Sequence, residues 1–126
     1  MRFFLCAASC FSVFAAPAWA DQVVDARQWH VDLKRAAKYA RISIQSGDLN
    51  RLRTERDAVD ALLVKSGSLQ FPEGAAPVCR AAGEAVRDFI SAAQAGNMAS
   101  GPASFSVQFA RWDRLGDQCL AAINGR

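Results

Sequence analysis

Apolar residues recur every three or four positions along most of this 126-residue chain. That spacing places them on one face of an α-helix, and no segment alternates apolar and polar residues for long enough to predict a β-strand. Four such segments follow one another, separated by short stretches rich in glycine, serine and proline. A chain of this length ordinarily forms a single domain. The pattern therefore predicts one all-α domain built from four helices.

The first two helices are separated by a glycine. Apolar residues of the first segment predict a helix over 22–46, and Asp48 is a suitable N-cap for a second helix from Leu49 to Lys65. Gly47 lies between them as a helix terminator. Since one glycine costs a helix only ~1 kcal/mol, a single continuous helix is the alternative. We favour the break.

The second half of the chain predicts a helical hairpin. A long connection over 66–76 (SGSLQFPEGAA) precedes Pro77, which suits the first turn of a third helix ending at 95–97. Ser100–Pro102 opens a fourth helix that ends at Asn124. Short connections favour antiparallel neighbours, so the expected architecture is an up-down-up-down four-helix bundle.

The N-terminal 20 residues have the pattern of a cleaved secretory signal peptide. Met1–Arg2 is positively charged, residues 3–16 are apolar, and Ala18–Ala20 forms an A-x-A cleavage site. Cleavage leaves a single domain over 21–126. We expect this domain to be located in the bacterial periplasm or to be secreted. That mature chain contains no apolar run of the ~20 residues that a membrane-spanning helix needs.

Signal cleavage removes two of the four cysteines and leaves Cys79 and Cys119. Both lie on the apolar faces of their helices, and they face each other if the third and fourth helices fold back about a turn near residue 98. An even pair in an exported protein predicts a disulfide. The alternative, a redox-active pair, usually has a C-x-x-C spacing that is missing here.

The chain lacks a recognisable catalytic group. His30 is the only histidine, and the residues one turn away from it on the helix are not carboxylates, so no nucleophile–base–acid set is predicted. Asp113 and Asp117 are one turn apart, but they point away from the apolar face and toward solvent. Solvent exposure gives little desolvation, so the raised pKa that a general acid needs is not expected. We expect no enzymatic activity, and a hydrolase using His30 or the aspartates is the alternative.

No cofactor or metal is expected either. The C-x-x-C-H signal for covalent haem is absent, and His30 and Met98 are predicted at opposite ends of the bundle, too far apart to share an iron. Zinc and iron sites need clustered histidine, cysteine or carboxylate ligands, and the sequence offers none.

A row of basic residues beside the apolar face of the first helix is the strongest charge feature of the chain. It consists of Arg27, Lys34, Lys38 and Arg41, and it suits an acidic protein partner or an anionic lipid surface. The alternative is an ordinary solvated face, as in the second helix, where charges pair one turn apart. Nucleic acid is not expected, because export removes the usual target and no aromatics interleave the row.

Two further surfaces are candidates for binding. Leu69 and Phe71 are apolar residues in the otherwise small and polar connection over 66–76; exposed, they would suit an interface, and the alternative is that they cover the end of the core. Val31 and Ile42 lie on the outer side of the first helix and are where a homodimer seam is expected.

These features together predict a small exported, non-enzymatic protein that acts by binding another protein, such as an inhibitor, immunity or adaptor component of a bacterial envelope. The alternative is a carrier that holds a small apolar ligand or cofactor within the bundle, because alanines dominate the inner faces of the first and third helices. The partner itself is not encoded in any motif of the sequence.

Overall fold

The computed structural model describes residues 18–125, which form four helices and no strand. The all-α prediction is confirmed. Residues 1–17 lie outside the described part of the chain, so the signal peptide over 1–20 stays a prediction. The four helices are α1 (Ala18–Ser46), α2 (Leu49–Ser68), α3 (Ala75–Gln94) and α4 (Phe105–Ile123).

The predicted break between α1 and α2 is confirmed. Gly47 adopts a positive φ of 71°, a conformation that glycine reaches without steric cost. The backbone N–H of Asp48 donates to the carbonyl of Ser43 at 2.9 Å, which closes the end of α1. The carboxylate of Asp48 then accepts from the backbone N–H of Arg51 at 3.1 Å and caps α2.

The predicted connection over 66–76 is wrong at both ends, because α2 continues to Ser68 and α3 begins at Ala75. The connection is therefore only 69–74. Ser66 explains the longer α2: its side chain is buried and its hydroxyl donates to the carbonyl of Leu63 at 2.6 Å. Packing against the core thus overrides the weak helix preference of the Ser-Gly-Ser sequence.

The fourth helix begins later than predicted. Residues 100–104 form bends and turns, and Ser104 rather than Ser100–Pro102 caps α4, its hydroxyl accepting from the backbone N–H of Val107. The backbone N–H of Phe105 donates to the carbonyl of Asn97 at 2.8 Å. This bond ties the start of α4 to the end of α3, so the turn is compact.

The core is built from aromatic side chains packed among alanines. Trp29 is fully buried, and its indole N–H donates to the carbonyl of Leu62 at 2.8 Å, which joins α1 to α2. Phe89 packs edge-on against Phe105 and Phe109, with ring centroids 5.6 and 5.3 Å apart, which joins α3 to α4. The alanines that let these rings fit are buried on α1 and α3: Ala26, Ala36, Ala37, Ala40, Ala75, Ala82 and Ala85.

The predicted disulfide between Cys79 and Cys119 is confirmed. It joins α3 to α4 across 40 residues of sequence, with the two Cα atoms 4.6 Å apart. In the chain-entropy treatment, closing a loop of that length lowers the stability of the unfolded state by ~4 kcal/mol relative to the folded one. None of the helices in residues 18–125 is both long enough and apolar enough to cross a membrane.

Candidate binding groove

A surface groove of about 300 Å³ lies along the seam between α1 and α4. These two helices touch each other at fewer places than α1 touches α2 or α4 touches α3, so the seam stays partly open. The floor of the groove is mainly apolar and its rims are charged. Its lining residues are His30, Lys34, Ala37, Lys38, Arg41, Phe109, Trp112, Asp113, Gly116, Asp117 and Leu120.

Trp112 and Phe109 supply the aromatic part of the floor. Trp112 is buried to 7% exposure, and Phe109 is half-buried against Phe89. Gly116 follows Trp112 by one helical turn and leaves room for its indole: a Cβ at position 116 would lie 3.0 Å from the ring. The glycine therefore sets how deeply the indole settles into the floor.

His30 lies at the base of the groove and is buried, with 5% exposure. Its Nε2 lies 2.9 Å from the carbonyl oxygen of Gly116. Because a carbonyl oxygen only accepts, Nε2 carries the hydrogen, and the neutral ring keeps Nδ1 as an acceptor. Burial is the main cause that lowers the pKa of His30 below its usual 6.5; Lys34 adds to this, whereas the Gly116 bond and Asp117 act in the opposite direction.

The α1 rim of the groove carries the basic residues Lys34, Lys38 and Arg41, all exposed. They recur at intervals of four and three residues, so they form one row along the groove. The guanidinium carbon of Arg41 lies 5.0 Å from the centre of the Phe109 ring. This cation–π contact holds Arg41 over the floor.

The opposite rim, on α4, carries Asp113 and Asp117, both exposed as predicted. Within residues 18–125 the ion pairs are Arg87 with Asp60 and Arg111 with Asp88, each at 3.5 Å. Neither of these pairs involves a residue of the groove. The two rims thus face each other across the opening without the ion pairs that would close it.

The fourth residue of the predicted basic row lies apart from the groove. Arg27 is exposed, and its Nε donates to the side-chain oxygen of Asn124 at 2.8 Å, near the end of α4. The structure therefore brings Lys34, Lys38 and Arg41 together and separates Arg27 from them.

Leu69 and Phe71 lie over one end of the core. Both are half-buried and pack against the buried cluster. The Phe71 ring meets the Trp29 ring edge-on, with centroids 5.3 Å apart. This placement favours the interpretation in which the two side chains cover the core, and it leaves only part of their surface for a partner.

A second groove, of about 530 Å³, separates α1 from α2. Its rims carry the charges of Asp32, Arg35, Glu55 and Lys65, which balance each other in sign. Burial raises the pKa of Glu55, and Arg51 partly offsets this. Because its charges balance, this groove does not select a charged partner.

The outer side of α1 exposes the two residues predicted for a homodimer seam. Val31 and Ile42 are 46% and 41% exposed. Isolated apolar residues at the surface are common, so their exposure is compatible with a seam without requiring one. The homodimer stays a prediction.

Within the described residues, no group of three histidine, cysteine, aspartate or glutamate side chains is placed to hold a metal ion. The two cysteines are joined in the disulfide, and His30 is hydrogen-bonded to a backbone carbonyl. The remaining titratable groups of the groove are its charged rims, which suit recognition by charge.

The sequence did not predict which residues form the floor of the groove. It also did not predict that α4 lies opposite the basic row. The apolar spacing of the fourth helix predicts that Phe109 and Trp112 face the core, which is correct for most of their surface. The usable signal is Gly116, a small residue one turn after a tryptophan on the same helix face. Such a pair lets the indole pack into the space that a side chain at position 116 would occupy.

The geometry of the groove is thus the main indication of function in this chain. Comparison with protein-family models, with curated proteins and with solved structures finds no match for it. Functional inference therefore starts from the charges, the burial and the contacts of the groove's own residues.

Proposed function

We propose that this protein is a small exported, non-enzymatic protein that acts by binding another protein, and that the groove between α1 and α4 is its binding surface. The observation that carries the proposal is the row of Lys34, Lys38 and Arg41, exposed beside an apolar floor and without ion pairs among the described residues. Apolar contact supplies affinity, and the charged rim supplies orientation and a faster encounter. An inhibitor, immunity or adaptor component of a bacterial envelope fits this description.

Export is part of the proposal. Its support is the signal-like pattern of residues 1–20 together with the Cys79–Cys119 disulfide, which persists in oxidising compartments such as the periplasm. The predicted cleavage site after Ala20 falls in the first turn of α1. Mass spectrometry of the protein from the periplasm would give the mature N-terminus directly, with Asp21 as the expected first residue.

We also propose that the helices alternate in direction, as an up-down-up-down bundle. In each pair of consecutive helices, contacts join an early residue of one helix to a late residue of the next. Short connections also favour this arrangement. The supporting contacts are Trp29 with Leu62, Arg56 with Gln94, and Cys79 with Cys119.

The filled core favours a binding protein over a carrier of an internal ligand. The alanine faces of α1 and α3 surround Trp29, Leu33, Phe89 and Ile90, all of which are fully buried. The space next to the alanines is thus occupied by the protein's own side chains. A small apolar ligand would have to use a surface groove.

A hydrolase is disfavoured by the placement of the same residues that could serve it. The Nε2–H of His30 is engaged with the Gly116 carbonyl, and neither Asp113 nor Asp117 is among the hydrogen-bond partners of the ring in the described structure. A general base needs its acceptor within hydrogen-bond reach of the proton that it removes.

The test is crosslinking in the native cell envelope, with the protein tagged at its C-terminus and the crosslinked residues mapped by mass spectrometry. The informative variant is Lys34→Glu with Lys38→Glu. Its matched control, Arg53→Glu with Arg80→Glu, makes the same change of net charge at exposed positions on α2 and α3.

The proposal predicts one dominant partner, crosslinked to residues of α1 and α4 that border the groove. The Lys34/Lys38 variant should lose this partner, and the Arg53/Arg80 variant should retain it. Self-crosslinks alone would contradict the proposal and indicate a homo-oligomer. A partner mapped to the connection over 69–74 would contradict the choice of surface.

A further inference from the structure

We propose that the groove between α1 and α4 binds an acidic peptide segment that carries one large apolar side chain, with its carboxylates along the α1 rim. The proposal rests on the protein-binding function above and adds the chemistry of the partner. Its basis is the combination, in one groove, of three exposed cationic groups on one rim, an aromatic floor, and two carboxylates on the opposite rim.

The spacing of the basic row suits an extended acidic segment. Lys34, Lys38 and Arg41 occupy successive turns of α1, so their side chains emerge at intervals of ~5 Å along the groove. In an extended peptide, side chains on the same face recur every ~7 Å. Flexible lysine side chains readily accommodate that difference, so two carboxylates of one peptide can each meet a cation.

The floor suits one apolar side chain. The groove volume of about 300 Å³ accommodates one large side chain and part of its backbone, and the exposed edges of Phe109 and Trp112 line it. The guanidinium carbon of Arg41 lies 5.0 Å from the centre of the Phe109 ring, and a guanidinium that contacts a ring can still bind a carboxylate through its N–H groups.

The concave shape favours a peptide over an anionic membrane. A lipid surface is broadly flat and meets exposed convex features, whereas Trp112 is only 7% exposed at the bottom of the groove. A peptide side chain can reach that floor. We therefore assign the basic row to a protein segment and treat a membrane as an outcome of the test.

The opposite rim makes the recognition one-sided. Asp113 and Asp117 repel carboxylates on the α4 side of the groove, so the acidic residues of the partner should all lie toward α1. Removing these two charges should then strengthen the binding of an acidic peptide. On an ordinary basic surface, removal of the two carboxylates would also strengthen the binding of an anion. That binding would not depend on the apolar side chain of the peptide.

The experiment titrates the full, uniformly ¹⁵N-labelled chain with synthetic peptides and follows the tryptophan indole N–H signals by NMR. The chain has three tryptophans, and the signal of Trp112 is assigned by its loss in a Trp112→Phe variant. The probes are acetyl-DDFDD-amide, acetyl-DDSDD-amide, acetyl-SSFSS-amide and acetyl-KKFKK-amide, together with vesicles of neutral and anionic phospholipid.

We expect acetyl-DDFDD-amide at millimolar concentration to shift the Trp112 signal more than the other three peptides do. Lys34→Gln with Lys38→Gln should weaken its binding about tenfold at low salt, because each of the two lost ion pairs contributes about threefold. Asp113→Asn with Asp117→Asn should strengthen it about threefold by the same reasoning. The control Arg53→Gln with Arg80→Gln should leave it unchanged.

The proposal is overturned if no peptide shifts the Trp112 signal, or if the neutral or basic peptide binds as well as the acidic one. It is also overturned if anionic vesicles produce the shift and the acidic peptide does not. In each case the envelope crosslinking is an independent measurement: a partner mapped to the groove would keep the protein-binding function while rejecting the acidic segment. If the wild-type protein gave no crosslinked partner at the groove, the function itself would be rejected.

Discussion

The Nε2 atom of His30 on α1 and the carbonyl oxygen of Gly116 on α4 are joined by a hydrogen bond of 2.9 Å at the base of the groove. This bond fixes the tautomer of the imidazole and links two helices that touch each other less than either touches its neighbour in sequence. Both residues are buried. The seam therefore depends on an ionisable group that the fold keeps neutral.

The stability of the protein should fall as the pH drops below 6.5. The pKa of His30 is lowered in the folded state, so between that pKa and the usual value of 6.5 the unfolded chain takes up more protons than the folded one. Linkage then makes folding less favourable with each step of acidification through this window, and the dependence on His30 fades as the pH rises above 6.5.

Urea unfolding of the wild type and a His30→Gln variant from pH 7.5 to about 5.5 checks this expectation. Glutamine can still donate to the Gly116 carbonyl but does not titrate, so the variant should lose the acid-side slope. Glu55, whose pKa is raised, contributes the same pH dependence of stability to both proteins. Its effect therefore cancels when their pH slopes are compared. Identical pH slopes for the two proteins would contradict the role given to His30.

A Gly116→Ala substitution should destabilise the protein and disturb the groove floor. The added Cβ would lie 3.0 Å from the Trp112 ring, and overpacking of this kind typically costs ~1–3 kcal/mol. That cost exceeds the gain of up to ~1 kcal/mol that alanine brings to a helix. We expect a lower free energy of unfolding and a shifted Trp112 indole signal.

Gly67→Ala is the matched control, because position 67 is also helical and has nothing within 4 Å of an added Cβ. It should gain stability, by up to ~1 kcal/mol. If Gly116→Ala were as stabilising as Gly67→Ala, the close approach of the glycine to the indole would not govern the position of Trp112.

Local signals predicted much of this fold. The 3–4 spacing gave the four helices, Gly47 gave the break, and the positions of Cys79 and Cys119 on facing apolar stripes gave the disulfide. Each of these depends on residues near in sequence or on one simple pairing of helices. Helix ends were predicted less well, since burial of Ser66 extends α2 and Ser104 starts α4.

The groove could be predicted only in part. The row of Lys34, Lys38 and Arg41 follows from helical spacing, but its partner rim on α4 depends on the relative rotation and register of two helices far apart in sequence. Arg27 shares the spacing of the row, yet it is hydrogen-bonded to Asn124 and does not line the groove. The position along α1 at which the groove ends is not encoded in a periodic pattern.

A Phe71→Ser substitution should destabilise the protein while leaving binding in the α1–α4 groove intact. The Phe71 ring meets the buried Trp29 edge-on, and such a contact contributes ~0.5–1.5 kcal/mol beyond the burial of area. We expect a loss of ~2 kcal/mol in total. Thermal unfolding and the envelope crosslinking pattern measure the two effects separately.

The control is Val64→Ser, which removes an apolar side chain that is 79% exposed; its stability should change by less than ~0.5 kcal/mol. The opposite result for Phe71→Ser, unchanged stability with loss of the crosslinked partner, would make the connection over 69–74 the binding surface. In that case the exposed part of Leu69 and Phe71, rather than the groove, would carry the function.

A Ser43→Ala substitution should stabilise the protein. Ser43 is buried on α1, and its hydroxyl oxygen has no hydrogen-bond partner among the described residues. Burying an unpaired hydroxyl costs ~1–3 kcal/mol, so its removal should raise the free energy of unfolding by at least ~1 kcal/mol. Alanine is also the better helix former.

A Ser66→Ala substitution separates the effect of removing an unpaired hydroxyl from the effect of the better helix former. Ser66 is equally buried and helical, but its hydroxyl donates to the Leu63 carbonyl at 2.6 Å, so the substitution removes a satisfied bond and gains only helix preference. Urea unfolding should therefore show Ser43→Ala to be more stable than Ser66→Ala by ~1–2 kcal/mol. Equal values would mean that the Ser43 hydroxyl is as well paired in solution as that of Ser66.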